Sequence, residues 1–265
     1  MKDYQFASSP WGFRMRPISD HCGWLKNHGF RYFCGQFSRE LKGAFPTDLS
    51  DDGIRQAVKD LQGYGLALAS FNADGDFMMA EKVEDQVALC CGMIDRAALF
   101  GPKLIIVFAG WQNRDDAAVY AQVSHCLKQV ARHAGRYGLT VALENHGGLT
   151  GTAEQINTIL DKVKEPNIGV NYDPANFLMY GADPYKNLVD LKHPVVFTHF
   201  KSVKKTNGKK VYCRLREGEI DYIPILKTLE KTYNGFYAIE YEDPADVFEG
   251  SEDDLKILKE LLGKI

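Results

Sequence analysis

The sequence predicts a single (β/α)8 barrel domain over residues 1–265, in which eight parallel strands each lead into a helix. Three observations predict this fold class. The length of 265 residues suits one α/β barrel. Short apolar, β-branched or aromatic runs alternate with segments of helical period. The eight runs begin about 32 residues apart, close to the length of one strand–helix–strand unit.

The predicted strands are four to seven residues long, as expected for buried parallel strands. They cover residues 12–15, 30–34, 66–71, 104–109, 141–144, 168–173, 195–201 and 237–240. The least regular stretch, 202–219, is predicted to be a long loop after the seventh strand.

Helix boundaries support the same alternation. Ser50 precedes a predicted helix over 51–62, and Thr152 is followed three positions later by Gln155, the spacing of a capping box. Glycine ends a helix just before a strand at Gly138. A doubly wound open sheet is the competing architecture, but it normally carries a Gly-x-Gly-x-x-Gly turn after its first strand, and this sequence has none.

Composition excludes several classes of protein. Hydrophobic residues make up 45% and charged residues 25% of the chain, the proportions of a globular domain. A net charge of −3 provides no basic field for a nucleic-acid partner. No apolar run reaches the roughly 18 residues of a membrane span, and the polar N-terminus lacks the features of a secretory signal. The six cysteines form no Cys-x-x-Cys pair, so we expect reduced thiols and a cytoplasmic protein.

Four late strands end on a side chain that can bind a metal ion, namely Glu144, Asp173, His199 and Glu240. Because side chains alternate along a strand, each of these residues shares a face with the residue two positions before it. The opposite faces carry bulky residues suited to contact with outer helices: Val141, Leu143, Val170, Tyr172, Val196, Tyr237 and Ile239. The four candidates therefore point into the barrel mouth.

Three carboxylates that converge there repel one another and raise one another's pKa values unless a cation neutralises them. Three oxygen donors and one imidazole suit Mn²⁺, Mg²⁺, Co²⁺ or Zn²⁺, and they leave positions open for water or substrate. The residues alone do not choose among these metals.

The same region resembles a known family, the sugar phosphate isomerases/epimerases of xylose isomerase-like TIM barrels. The resemblance covers most of the chain from Glu81 onward. It is carried by ALENHGG at 142–148, VNYDPANF at 170–177, THFK at 198–201 and IE at 239–240, with VFAGW at 107–111 and GEID at 218–221.

The resemblance implies one divalent ion, with Mn²⁺ expected first, held by Glu144, Asp173, His199 and Glu240. It also implies that Glu144 and Glu240 act as acid and base on either side of a sugar or sugar derivative. The reaction would be isomerisation or epimerisation through an enediolate, whose charge a divalent cation stabilises. The partner is then a small-molecule sugar, and the resemblance is compatible with a homo-oligomer.

We expect four further side chains to contact the substrate. His146 shares the face of Glu144, and Lys201 shares the face of His199. Lys201 is suited to polarise a carbonyl or to hold an anionic group. Trp111, just beyond the fourth strand, is suited to stack on a sugar ring. Asn176 stands where ketose 3-epimerases of this group have histidine.

That replacement keeps a second reaction open. Related lyases and dehydratases act on inososes or keto-sugars with the same metal site and the same His-x-Lys string. DNA-repair endonucleases of this fold bind three zinc ions and need more histidine and acidic ligands and a basic groove, which fits this chain badly. A non-catalytic sugar-binding barrel is the remaining alternative, and the intact pair of glutamates argues against it.

Overall fold

Eight parallel strands form a nearly closed barrel in the computed structural model, which describes residues 3–112 and 114–265. This confirms the predicted fold class. The barrel strands are β1 (Gln5–Ser8), β2 (Tyr32–Gln36), β3 (Ala67–Asn72), β4 (Leu104–Val107), β5 (Thr140–Glu144), β6 (Ile168–Tyr172), β7 (Val195–Phe200) and β10 (Phe236–Ile239). A separate hairpin consists of β8 (Ser202–Thr206) and β9 (Lys209–Cys213).

The strands follow the order β1-β10-β7-β6-β5-β4-β3-β2, and every neighbouring pair is parallel. β1 packs beside β2 and brings the two ends of the sheet together. The register places Glu144 opposite Asn171, and His199 opposite Ala238. Because all strands run in one direction, the residues at their carboxyl ends meet at one mouth of the barrel.

Helices surround the barrel and fill the outer layer. They are α1 (Ile18–Asn27), α2 (Asp51–Gly63), α3 (Val83–Ala98), α4 (Ala117–Gly135), α5 (Ala153–Val163), α6 (Pro174–Met179), α7 (Pro184–Asp190), α8 (Tyr222–Leu229) and α9 (Val247–Leu262). The predicted caps are present: Ser50 accepts from the N–H of Gly53, and Thr152 and Gln155 form a capping box. Gly138 has a φ of 69°, a left-handed conformation that favours glycine. In the part of the chain described here, no helix is both long and apolar enough to cross a bilayer.

The hydrophobic core lies on both sides of the strands. Val141, Leu143 and Tyr172 are fully buried in the layer between strands and helices, as the alternation predicts. A second cluster fills the barrel interior with mostly small or aliphatic residues: Ala7, Cys34, Ala69, Leu104, Ile106, Ala142, Phe197, Phe236 and Ala238. Each large apolar side chain buried in this way contributes roughly 1.5–3 kcal/mol. The bulky residue Phe197 lies two positions before His199, so apolar packing supports the mouth from below.

The prediction of the first strand was wrong. Residues 12–15 form turns rather than a strand, and the chain there passes so close to Tyr241 that a Cβ on Gly12 would lie 2.1 Å from its carbonyl oxygen. The true first strand, β1, is only four residues long, and two of them are the polar residues Gln5 and Ser8. It therefore lacks the apolar run that marks the other strands.

The prediction of a long loop over 202–219 was also wrong. This segment contains the hairpin β8–β9 and a short 3-10 helix over Leu215–Glu217. The hairpin turns at Asn207 and Gly208, whose φ values of 51° and 78° are both positive. An Asn-Gly turn of this kind is a strong hairpin signal, but the exposed lysines of both strands hide the alternation that normally accompanies it.

The carboxylate of Asp254 is buried outside the barrel mouth. Asp254, on α9, is fully buried, and its Oδ1 accepts a 2.6 Å hydrogen bond from the N–H of Leu215. Its Oδ2 has no hydrogen-bond partner among the described residues. Burial raises the pKa of Asp254 to about 8, which the Leu215 hydrogen bond opposes. Asp253 and Glu217 raise this pKa further, and Arg214 lowers it.

Because the folded state resists ionisation of Asp254, we expect this residue to cost stability as the pH rises from about 4, its value in an unfolded chain, towards 8. Urea unfolding at pH 5 and pH 8 should show the wild type losing free energy of unfolding relative to Asp254→Asn. Glu249→Gln, at an exposed position of the same helix, is the control, and its free energy of unfolding should change with pH as that of the wild type does. An equal change in the free energy of unfolding of the wild type and of Asp254→Asn between pH 5 and pH 8 would contradict the prediction.

Candidate metal centre

Four side chains converge at the mouth of the barrel, as the sequence predicts. Glu144 ends β5, Asp173 follows β6, His199 lies in β7 and Glu240 follows β10. All four are buried, with exposures of 0–7%. One donor atom from each lies within 4.8 Å of those of the other three. The alternation of side chains along parallel strands brings these donors together from residues almost 100 positions apart.

Glu144 is held by two amides. Asn171 donates to its Oε2 at 2.8 Å, and Asn176 donates to its Oε1 at 3.2 Å. The amide of Asn176 is oriented in turn, because the hydroxyl of Tyr212 donates to its Oδ1 at 2.8 Å. Asn176 is fully buried, and its side chain contacts Glu144 and Tyr212. Its predicted contact with substrate stays a prediction.

Asp173 is fixed by the main chain around it. Its N–H donates to Asn145 Oδ1 at 2.7 Å, and Asn145 Nδ2 donates to its carbonyl at 2.7 Å. Its Oδ1 caps α6 by accepting from the N–H of Asn176 at 2.9 Å. The other oxygen, Oδ2, is buried and accepts no hydrogen bond from a described residue, although Lys201 Nζ lies 3.1 Å away.

Glu240 is held by groups of a different kind. Ser9, just past β1, donates from its hydroxyl to Oε1 at 2.6 Å. Lys201 donates from Nζ to Oε2 at 2.5 Å, and it also donates to Glu242 Oε1 at 2.8 Å. The Lys201 ammonium lies 4.7 Å from the centre of the Tyr212 ring and is almost fully buried. This lysine therefore carries a buried positive charge shared among three carboxylates.

The charges of this cluster perturb one another. Burial raises the pKa of Asp173 to about 6, the lysine opposes this shift, and the neighbouring glutamates add to it. Burial alone would lower the pKa of His199, but Glu240 and Glu144 raise it to about 9. Burial alone would raise the pKa of Glu240, but His199 and Lys201 lower it to about 2. The cluster thus has an excess of negative charge that attracts protons or cations.

The donor set fits a divalent metal ion. Three carboxylates and one imidazole offer hard oxygen ligands and one nitrogen, and His199 Nδ1 lies 3.5 Å from Glu144 Oε2 and 3.3 Å from Glu240 Oε2. Asp173 Oδ2 is buried, accepts no hydrogen bond from a described residue and lies 3.1 Å from Lys201 Nζ, so it has a lone pair available to bind a metal ion. The cluster could therefore hold one metal ion.

A cavity of about 330 Å³ opens onto this cluster. It is large enough for a small ligand. Its lining consists of Ser9, Trp11, Gln36, Asn72, Asp74, Phe108, Trp111, Glu144, His146, Lys201, Glu240 and Glu242. The rings of His146 and Trp111 meet edge to face with centroids 5.5 Å apart, and Trp111 is 54% exposed. Three of the four predicted substrate contacts therefore line the cavity, and Asn176 lies behind Glu144.

The sequence profile of a family described as xylose isomerase-like TIM barrel matches residues 22–261. The chain belongs to this family. The match extends well before Glu81, where the resemblance seen in the motifs began. No protein of curated function matches the chain in sequence.

Several solved structures share the fold. An L-ribulose 3-epimerase superposes with a TM-score of 0.82 at 15% identity, covering 99% of this chain and 95% of its own. The probable 3-DHS dehydratase AsbF of Bacillus anthracis gives 0.78 at 18% identity, covering 96% and 98%. A xylose isomerase-like TIM barrel protein of Mycobacterium smegmatis in complex with magnesium gives 0.77 at 19% identity, covering 98% and 97%. At these identities the likeness establishes the fold alone.

Sequence reasoning missed four residues around the cluster: Ser9, Asp74, Tyr212 and Glu242. Ser9 was missed because the first strand was misplaced. Asp74 follows β3 by two residues, and Glu242 follows Glu240 by two, so the strand-end signal could have found both. Tyr212 had no signal of its own, because it lies on the hairpin that the sequence did not predict.

Lys201 provides a test of the electrostatics of the cluster. The variant Lys201→Met leaves three carboxylates without their ammonium. Removing one partner of a buried ion pair in this way lowers the stability of a protein by about 3–5 kcal/mol. We expect the free energy of unfolding of the chelator-treated protein to fall by that order in urea titrations. Lys204→Met removes an exposed pair with Glu217 and should change stability little. Equal losses in the two variants would contradict this account.

Proposed function

We propose that this protein is a divalent-metal-dependent isomerase or epimerase of a sugar or sugar derivative. The observation that carries the proposal is the pair of glutamates, Glu144 and Glu240, which line one cavity from strands three positions apart around the barrel. Two carboxylates placed in this way can take a proton from one side of a bound substrate and return one from another. Both belong to the candidate metal cluster, so both lie close to the reacting atoms.

In this proposal the side chains at the mouth of the barrel have three different roles. A divalent cation held by Glu144, Asp173, His199 and Glu240 would stabilise negative charge on substrate oxygens. Glu144 and Glu240 exchange protons with the substrate carbons, while Asn171, Asn176 and Ser9 fix their orientation. His146 and Trp111, on the cavity wall, bind the sugar through a hydrogen bond and through ring stacking.

The relatives support this class of reaction and also name its alternative. One is an L-ribulose 3-epimerase and another a probable dehydratase. A lyase or dehydratase needs a proton donor near its leaving group. Lys201 is committed to three carboxylates and is poorly placed to protonate a leaving group, so His146 remains as the donor. The lyase is thus left with one candidate donor, whereas both carboxylates that an isomerase or epimerase needs are present, and we therefore favour the isomerase or epimerase. Mn²⁺ is the expected metal, with Mg²⁺, Co²⁺ or Zn²⁺ as alternatives.

Variants of the glutamates separate metal binding from proton transfer. Glu144→Gln and Glu240→Gln each keep an oxygen donor but lose the acid–base group. We expect elemental analysis to find about one metal ion per wild-type chain and a substantial share of it in each variant. Exchange of the substrate's α-proton with solvent deuterium should fall by a factor on the order of 100 to 10,000. Exchange at the wild-type rate would show that the substituted glutamate is not the base.

The reaction itself is tested by a substrate screen. Ketoses, inososes and 3-keto-sugars are incubated with the Mn²⁺-loaded protein, the metal is removed with a chelator, and the products are read by NMR. We expect a product isomeric with its substrate. Loss of water or of an aglycone would instead establish the lyase or dehydratase. Absence of turnover with every compound, by protein shown to hold metal, would count against the enzymatic proposal as a whole.

A further inference from the structure

The cavity carries more negative charge than a metal site requires. Asp74 and Glu242 line it in addition to the candidate ligands Glu144 and Glu240, and Asp173 lies buried beneath. Against these five carboxylates, the lining residues that the structure describes provide one ammonium and no guanidinium. With five carboxylates and one ammonium, the site would keep two net negative charges even after it bound a divalent cation. Three of the carboxylates already share that ammonium.

Asp74 differs from the other carboxylates of the cavity because its side chain has no partner among the described residues. Its side chain is exposed towards the cavity, and it forms no hydrogen bond or ion pair with any described residue. Asp76, two residues later, is by contrast a structural residue that accepts from the Trp111 N–H at 3.2 Å and from Gln112 Nε2 at 2.7 Å. The free carboxylate of Asp74 is therefore available to a ligand.

The surroundings of Asp74 strengthen its effect on a ligand. Protein atoms packed around the carboxyl, together with the charge of Glu144, raise its pKa to about 6, and His146 opposes this shift. A carboxylate at this position can accept hydrogen bonds from hydroxyl donors, and such charge-assisted hydrogen bonds are stronger than neutral ones. It equally repels phosphate and carboxylate groups, which proteins normally bind with arginine, lysine or free backbone N–H groups.

We propose that Asp74 is a specificity-determining residue that, with the acidic lining of the cavity, restricts the substrate to uncharged polyhydroxy compounds and excludes sugar phosphates and sugar acids. The inference rests on the proposed function, since it takes the reacting sugar to occupy this cavity. Asp74 accepts hydrogen bonds from hydroxyls of an uncharged sugar. A phosphate on the same carbon skeleton would meet these carboxylates, and the described lining residues offer no free cationic side chain to balance its charge.

The test uses matched pairs of ligands, such as D-fructose with D-fructose 6-phosphate and D-ribulose with D-ribulose 5-phosphate. Both members of a pair have the same keto group but close different rings, so the effect of the acidic lining is measured by how Asp74→Asn changes the ratio of their dissociation constants, in which the difference in ring form cancels. Calorimetry with the Mn²⁺-loaded wild type should show each neutral member binding at least tenfold more tightly than its phosphate. Asp74→Asn keeps the size of the side chain and should lower the ratio of the two dissociation constants, phosphate to neutral member, at least threefold.

Asp85→Asn, on the exposed face of α3, is the control for overall net charge and should leave the ratio unchanged. Equal binding of neutral and phosphorylated members by the wild type, or an unchanged ratio in Asp74→Asn, would overturn the inference and leave the proposed isomerase or epimerase standing. Failure of every ligand of both classes to bind would overturn the inference and the proposed function together.

Discussion

Mutual repulsion among three buried carboxylates is the constraint on which the rest of this structure depends. Glu144, Asp173 and Glu240 lie at the mouth of the barrel with almost no access to water. Such an arrangement is costly unless cations and hydrogen-bond donors surround it. The buried ammonium of Lys201, the imidazole of His199 and the donors from neighbouring strands provide that compensation. The apolar layer below the mouth then keeps these polar groups in a fixed position.

The two glutamates are supported by chemically different groups. Glu144 receives hydrogen bonds from two neutral amides, whereas Glu240 receives one from a hydroxyl and one from an ammonium. Neutral donors orient a carboxylate and leave its charge uncompensated. An ammonium compensates the charge and favours the ionised form. Two residues of the same type therefore enter the cavity with different hydrogen-bond partners, and only Glu240 accepts from an ammonium.

The sequence allowed the barrel and its four clustered donors to be predicted because both depend on periodicity. Alternation along parallel strands determines which side chains face the mouth, so Glu144 and His199 could be placed without coordinates. β1 could not be found, because a four-residue strand with polar Gln5 and Ser8 has no apolar run. Contacts such as that between Tyr212 and Asn176 join segments far apart in the chain, and no local pattern encodes them.

The hairpin β8–β9 lies outside the repeating strand–helix unit, yet it reaches both glutamates. Tyr212 orients the amide that holds Glu144, and its ring lies against the ammonium that holds Glu240. A related barrel with a different insertion after β7 would keep the four donors and lose this link between them. Exchange of this one short insertion would thus change the groups that hold the two glutamates, while the eight repeats that build the barrel remain unaltered.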